Sequence, residues 1–140
     1  REAARASGHD ANRTRVAINT HAFVADSSAQ ADSAFASSYL SMMNRIGRER
    51  GWPPSGQREY EALRSPTGAL AVGSPEQVAE KILYEHELFG HDRYIAQMSV
   101  GAVAHADVLH SMELYGTKVS PLVREEIARR GAHPEKPALT

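Results

Sequence analysis

The sequence predicts an α/β fold, rich in helix, with two or three parallel strands. Two observations carry that expectation. Short β-rich segments alternate with longer segments of helical period, and such alternation places helical crossovers between parallel strands. Within it, residues 72–101, "VGSPEQVAEKILYEHELFGHDRYIAQMSVG", read as a turn, a capped helix, a tight stop and a strand that ends in glycine.

The elements follow in chain order. Residues 1–8, "REAARASG", have the character of the last turns of a helix, with Gly8 as its stop, and 9–14 are polar loop. In "RVAINTHAFVAD", Val16, Ile18 and Thr20 alternate with Ala17, Asn19 and His21, and Phe23 and Val24 extend the run. This is a short strand covered on both faces. Asp26 and Ser27 both suit an N-cap, and Gln30 follows Ser27 by three as in a capping box. Ala31, Phe35, Ser38, Tyr39, Met42 and Ile46 then recur at helical spacing, predicting a helix to Gly47 or Gly51.

Residues 51–69 are the least regular. Pro53, Pro54 and Pro66, with Gly51, Gly56 and Gly68, interrupt any long helix, leaving room for a turn or two over 58–63. A connection of this length is functional or mobile. Ser74 is then an N-cap, Pro75 the first helical residue and Gln77 the third. Val78, Ile82, Leu83 and Phe89 lie along one face, and Gly90 ends the helix in the left-handed conformation. "RYIAQMSVG" is a second clear strand. Val108, Leu109 and Met112 begin a helix that pauses at Gly116 and restarts at Ser120 and Pro121, running to Gly131; residues 132–140 read as a frayed tail. Two clear strands cannot cover the faces of five amphipathic helices, so the fold calls for further strands.

Composition excludes several function classes. The 140 residues carry a formal net charge of −1 and no basic block, so there is no electrostatic footprint for nucleic acid. No apolar run approaches the roughly 20 residues a membrane helix needs, and the first ten residues lack the apolar core of a signal peptide. A cytoplasmic location is the expectation. The absence of cysteine removes disulfides, thiol nucleophiles and cysteine-ligated metal.

Four blocks carry a resemblance: "INTHAFVADSSAQA", "MMNRIGRERGWPP", "GALAVGSPEQVAEKIL" and "QMSVGAVAHADVLHSMELYGTKVSPLVR". In this order and spacing they resemble the C-terminal part of the bacterial luciferase-like, flavin-dependent monooxygenase family, over residues 16–124. The resemblance implies that all 140 residues are the C-terminal portion of one TIM (β/α)8 barrel. Residues 15–24 would be its seventh strand, 93–100 its eighth and about 52–70 the family's mobile insertion. It further implies that the intact protein uses reduced FMN and oxygen on a small organic substrate, with F420 as the secondary choice of cofactor and a separate flavin reductase as a partner. Two departures stand out. Ala22 and Ala104 replace the glycine and proline of the family's "HGF" and "PH", which puts a close backbone approach at Ala22 in doubt and should loosen the start of the final helix.

On the residues themselves, His21 lies at the C-terminal end of a strand, the end that carries chemistry in such barrels. A histidine there can bond a flavin or substrate and move protons near neutral pH, or simply hold the strand end. Gln97 and Ser99 share one strand face with Gly101. If that face looks into a barrel, Gln97 is a buried amide that needs partners, and both residues are candidates for flavin contact or for a polar barrel layer. Gly101 marks the turn into the next helix. Ser74 is accounted for by capping. His86 with His91, and His105 with His110, are spaced by five rather than four, so no metal site is expected. "RIGRER" reads as a solvated basic helix end. A different class of reading also stands: a non-catalytic helical interaction module, or a shortened homologue, that folds by oligomerising. A homo-oligomer is expected: the last strand has one edge with no neighbour in these residues, left open unless another chain or further barrel strands close it.

Overall fold

The computed structural model describes residues 2–10 and 13–132. Three parallel strands, β1 (Ala17–Val24), β2 (Ala71–Gly73) and β3 (Arg93–Gln97), form a sheet in the order β2-β1-β3. The first half of β1 pairs with β3, from Ala17 opposite Arg93 to His21 opposite Gln97. Its last three residues pair with β2, from Ala22 opposite Ala71 to Val24 opposite Gly73. Asp92 sets the register at the start. Its carboxylate accepts from the Val16 N–H and the Arg15 guanidinium, each at 2.9 Å, while the Val16 carbonyl accepts from the Asp92 N–H at 2.8 Å. A slip of one residue would exchange the two faces of the sheet and lose all three bonds.

β2 is the strand the sequence pattern did not single out. Three residues are too few to show a period, and all three are buried. β3 is shorter than the expected 93–100, because the backbone leaves the sheet toward Gly101, which sits at φ 60°. Met98 and Val100 remain buried past the strand's end.

The helices start and stop where their caps dictate. A short α1 (Glu2–Ala6) is followed by Gly8 at φ 77°. α2 (Ser28–Arg50) begins at Ser27, whose hydroxyl accepts from the Gln30 N–H at 3.3 Å, and ends at left-handed Gly51. Across the Pro- and Gly-rich stretch the structure has a helix of eight residues, α3 (Gln57–Arg64). Fully buried Tyr60 docks it on α2, and Arg64 binds Asp32 at 2.7 Å and the Ser28 hydroxyl at 2.7 Å. α4 (Pro75–Phe89) opens with the reciprocal box: the Ser74 hydroxyl accepts from the Gln77 N–H and the Gln77 amide oxygen accepts from the Ser74 N–H at 3.0 Å. Left-handed Gly90 closes it.

Between α5 (His105–Leu114) and α6 (Ser120–Ala132) the expected pause at Gly116 is a π-helical turn over Tyr115–Val119. The helix widens instead of breaking. The Ser120 N–H bonds back to the Tyr115 carbonyl, and the wider turn accommodates Pro121, which has no N–H to donate and whose ring would crowd an α-helical carbonyl four residues back. Of the expected frayed tail, residues 133–140 lie outside the described residues.

Two apolar clusters flank the sheet. Ala22, Val24, Val78, Ile82, Met98 and Val119 pack on the side of α4 and the last helices. Phe23, Phe35, Tyr39, Tyr60, Val72 and Val100 pack under α2 and α3. Ala22, fully buried in the first cluster, occupies the position where a glycine was expected, and its methyl group is accommodated by packing. No helix of the described residues is long and apolar enough to cross a membrane.

Candidate active site

The parallel register decides which side chains stand together. Residues opposite each other on neighbouring strands project to the same side, so Ala17, Asn19 and His21 of β1 share a face with Arg93, Ile95 and Gln97 of β3. The opposite face, with Thr20, Ala22, Val24, Tyr94, Ala96 and Met98, packs against helices. The first face is largely uncovered: Ala17, Asn19, Arg93 and Gln97 are exposed, and so is Ile95 at 45%.

His21 and Gln97 are register partners at the C-terminal end of this face. Two residues were singled out separately from the sequence, and the fold places them side by side. Burial of Gln97 is expected of a closed barrel, and three strands do not close one. Its face has no layer packed over it, so the amide is exposed, as is Ser99 between buried Met98 and Val100.

His21 itself is half-buried, because α2 crosses the sheet at this end. Its imidazole meets the Tyr39 ring in a T-shaped contact with 5.7 Å between centroids at 79°. Tyr39 continues a row of rings: Phe35 at 5.7 Å, Phe23 5.4 Å beyond Phe35, and Tyr60 at 5.9 Å. Burial pushes the His21 pKa down from its usual 6.5 and that of the Tyr39 phenol up, so both are held neutral. The Nδ1 atom of His21 is buried with no hydrogen-bond partner. His21 is not the end of its strand, since β1 runs on to Val24 to pair with β2, but it is the last residue of β1 paired with β3. A neutral imidazole with an unsatisfied nitrogen there can accept a hydrogen bond from a bound group and can take up or return a proton.

Tyr39 was legible only as a helix-face residue; its approach to His21 was not. The i, i+4 spacing of Phe35 and Tyr39 was the available signal, but that spacing is shared by any packed helix. Ser111 was also missed. It is fully buried on α5, accepts from the Val24 N–H at 2.8 Å and lies 3.4 Å from the Met98 sulfur. It ties the last residue of β1 to the helix behind it.

The remaining candidates serve the fold. The Ser74 hydroxyl caps α4 and donates to Glu76 at 2.8 Å. His86 and His91 are closer than their spacing implied, 5.2 Å between rings, because the turn at Gly90 folds His91 back on the helix. His110 pairs with Asp26 at 3.0 Å, away from His105 at the start of α5. Among the described residues no group of three or more His, Asp or Glu could hold a metal ion. Ala104 offers α5 no side-chain cap; its carbonyl accepts from the Val108 N–H at 3.1 Å.

Comparison with known proteins places this arrangement. The model of the luciferase-like monooxygenase family matches residues 1–92. Among solved structures, the monooxygenase RslO1 from Streptomyces bottropensis superposes with a TM-score of 0.64 at 20% identity, over 86% of this chain and 35% of that one. The FMN-bound oxygenating constituent of 3,6-diketocamphane monooxygenase, a type II Baeyer–Villiger enzyme from the CAM plasmid of Pseudomonas putida, gives 0.62 at 23% identity, over 87% of this chain and 37% of that one. At these identities the likeness is one of fold. The chain spans little more than a third of either protein. No curated protein sequence matches it significantly.

Proposed function

The chain belongs to the luciferase-like monooxygenase family, and from that premise we propose that it is the C-terminal portion of a flavin-dependent monooxygenase that acts on a small organic substrate with reduced FMN and oxygen. One observation supports the reading above the others: His21 and Gln97 are register partners on an uncovered sheet face, where β3 ends and β1 has three residues left to run, toward the side on which a (β/α)8 barrel does its chemistry. FMN is preferred over F420 because a structural relative is solved with FMN bound.

The residues present fit a flavin. His21 Nδ1 is an unpartnered buried polar atom, its register partner Gln97 adds an amide, and exposed Ser99 follows two residues on with a hydroxyl. Reduced flavin, when bound, supplies the activation of oxygen; the protein supplies orientation and exclusion of water. In this reading Gln97 and Ser99 hold the flavin ring or the substrate against the sheet. His21, neutral at physiological pH, holds or moves a proton at its Nδ1 atom. The row of rings from Tyr39 to Phe23 fixes the imidazole and keeps water from one side of it. A cytoplasmic location, a separate flavin reductase and a homo-oligomeric state complete the proposal, with neither nucleic acid nor membrane as a partner.

The test uses the product of the natural gene with chemically reduced FMN and oxygen. His21→Asn is expected to lower turnover by about 10²- to 10⁴-fold, the range for loss of a general acid or base, with FMN affinity retained. Turnover unchanged in His21→Asn would overturn its assignment, and absence of any flavin-dependent oxygen uptake would overturn the enzyme reading. The 140-residue chain alone is expected to bind FMN more weakly than micromolar, short of about −8 kcal/mol, because the family's phosphate contacts come from segments outside it.

A further inference from the structure

We propose that the outer face of α2 and the loop at Gly101 form a binding site for an anionic group: a phosphate, sulfonate or carboxylate. An open depression of about 650 Å³ lies there, lined by Ser38, Ser41, Asn44, Arg45, Arg48 and Gly101 among others, and no carboxylate lines it. Arg45 and Arg48, three apart, share one helix face.

Other described arginines, such as Arg58, Arg93 and Arg124, also lack a carboxylate partner, but Arg45 and Arg48 line one acid-free depression together, and several of the rest are engaged. Arg64 is paired with Asp32, Arg15 with Asp92 and Arg129 with Glu126, while Arg50, in the same helix, lies 5.2 Å over the Trp52 ring. No carboxylate among the described residues pairs with the guanidinium of Arg45 or Arg48. The negative end of the α2 dipole accounts for basic residues in its last turn, but Arg45 lies before that turn. The chain as a whole has no cationic excess, its net charge being −1. Two neighbouring guanidiniums with hydroxyls beside them are the donor set that recognises a multidentate oxyanion.

The walls are built. Gly101 sits at φ 60°, and a Cβ there would come within 2.7 Å of the Ser38 carbonyl oxygen, so the loop touches the helix backbone. On the other side, the Asn44 amide donates to the Ser55 carbonyl and accepts from the Ser55 N–H, each at 2.8 Å, fixing the segment that leads into α3. Gly101 is four residues beyond Gln97, at most about 13 Å along an extended chain. An anionic group held here would therefore be within reach of a molecule whose other end lies at His21 and Gln97. That use, as the subsite for a substrate's charged tail, rests on the enzyme reading above; the anion site does not.

The experiment is a titration of the 140-residue chain followed by NMR, with inorganic phosphate, decanoate and chloride as probes at matched ionic strength. Phosphate is expected to give saturable shifts at Ser41, Arg45, Arg48 and Gly101 that chloride does not give. The double variant Arg45→Gln/Arg48→Gln, two exposed substitutions on a helix face, is expected to weaken phosphate binding at least about tenfold, as for loss of charge-assisted hydrogen bonds. Decanoate shifting these signals together with those of His21 and Gln97 would support the substrate-tail use. Decanoate shifting the Arg45 and Gly101 signals alone would leave an anion site and overturn that use. Phosphate shifts that do not saturate, that match chloride, or that survive in the double variant would overturn the site itself. None of these readouts depends on flavin or turnover.

Discussion

The His21 imidazole and the Tyr39 ring meet in a T-shaped contact, 5.7 Å between ring centroids at 79°. A strand end and the helix that crosses it thus share one contact, and the environment of His21 depends on a residue eighteen positions away.

That contact governs protonation. Burial lowers the His21 pKa, so Tyr39→Ala, which opens the imidazole to water, is expected to return it toward 6.5. An NMR titration of the ring protons reads this directly; an unchanged midpoint would show that another group sets the shift. His91 is lowered for the same reason, with the neighbouring His86 contributing. The sign of the stability effect follows. Above 6.5 both states are neutral at these residues. As pH falls below it the unfolded chain takes up protons first, so stability declines through the lowered folded pKa and levels off below it. Replacing both His21 and His91 with Gln should flatten that slope in denaturant melts.

Ser111→Ala removes the acceptor of the buried Val24 N–H. A buried donor left unsatisfied costs about 1–3 kcal/mol, and the midpoint of urea unfolding is expected to fall accordingly with an unchanged slope. A loss below a few tenths of a kcal/mol would mean that water reaches Val24.

Lys81 clamps the end of the α3 segment. Its buried ammonium donates to the carbonyl of Ser65 and, at 2.6 Å, to that of Gly68. Burial pulls its pKa down while Glu85 acts in the other direction. Lys81→Met is expected to speed hydrogen exchange at Gly68 and Leu70, whose N–H groups bond within this turn, while Ile82 keeps its protection. Equal protection at Gly68 in both proteins would show that the turn holds itself.

Gly101→Ala combines left-handed strain with a clash against the Ser38 carbonyl. It is expected to cost about 1–3 kcal/mol, the range for a residue forced into a sparsely populated backbone region. Gly116→Ala serves as the control, since a Cβ there meets nothing within 4 Å and the position lies in helix. Similar losses in both would deny Gly101 its special role.

The sequence by itself determined the local grammar. Ser27, Ser74, Gly51 and Gly90 marked helix ends because capping and left-handed closure depend on a few neighbouring residues. The two longer strands were legible from β-branched and aromatic runs, and the family from four blocks in order. His21, Gln97 and Ser99 were legible as separate candidates. Tertiary structure decided the rest. β2 is too short to carry a period and exists because Val24 and its neighbours needed partners on their second edge. The π turn arose where Pro121 met a helix already held by buried Leu114 and Val119. Register, a property of two strands together, made His21 and Gln97 neighbours. Packing of α2 over the sheet brought Tyr39 to His21 and left Arg45 and Arg48 facing an acid-free depression. Such relations between distant residues are set when the chain's faces find one another, and no local pattern encodes them.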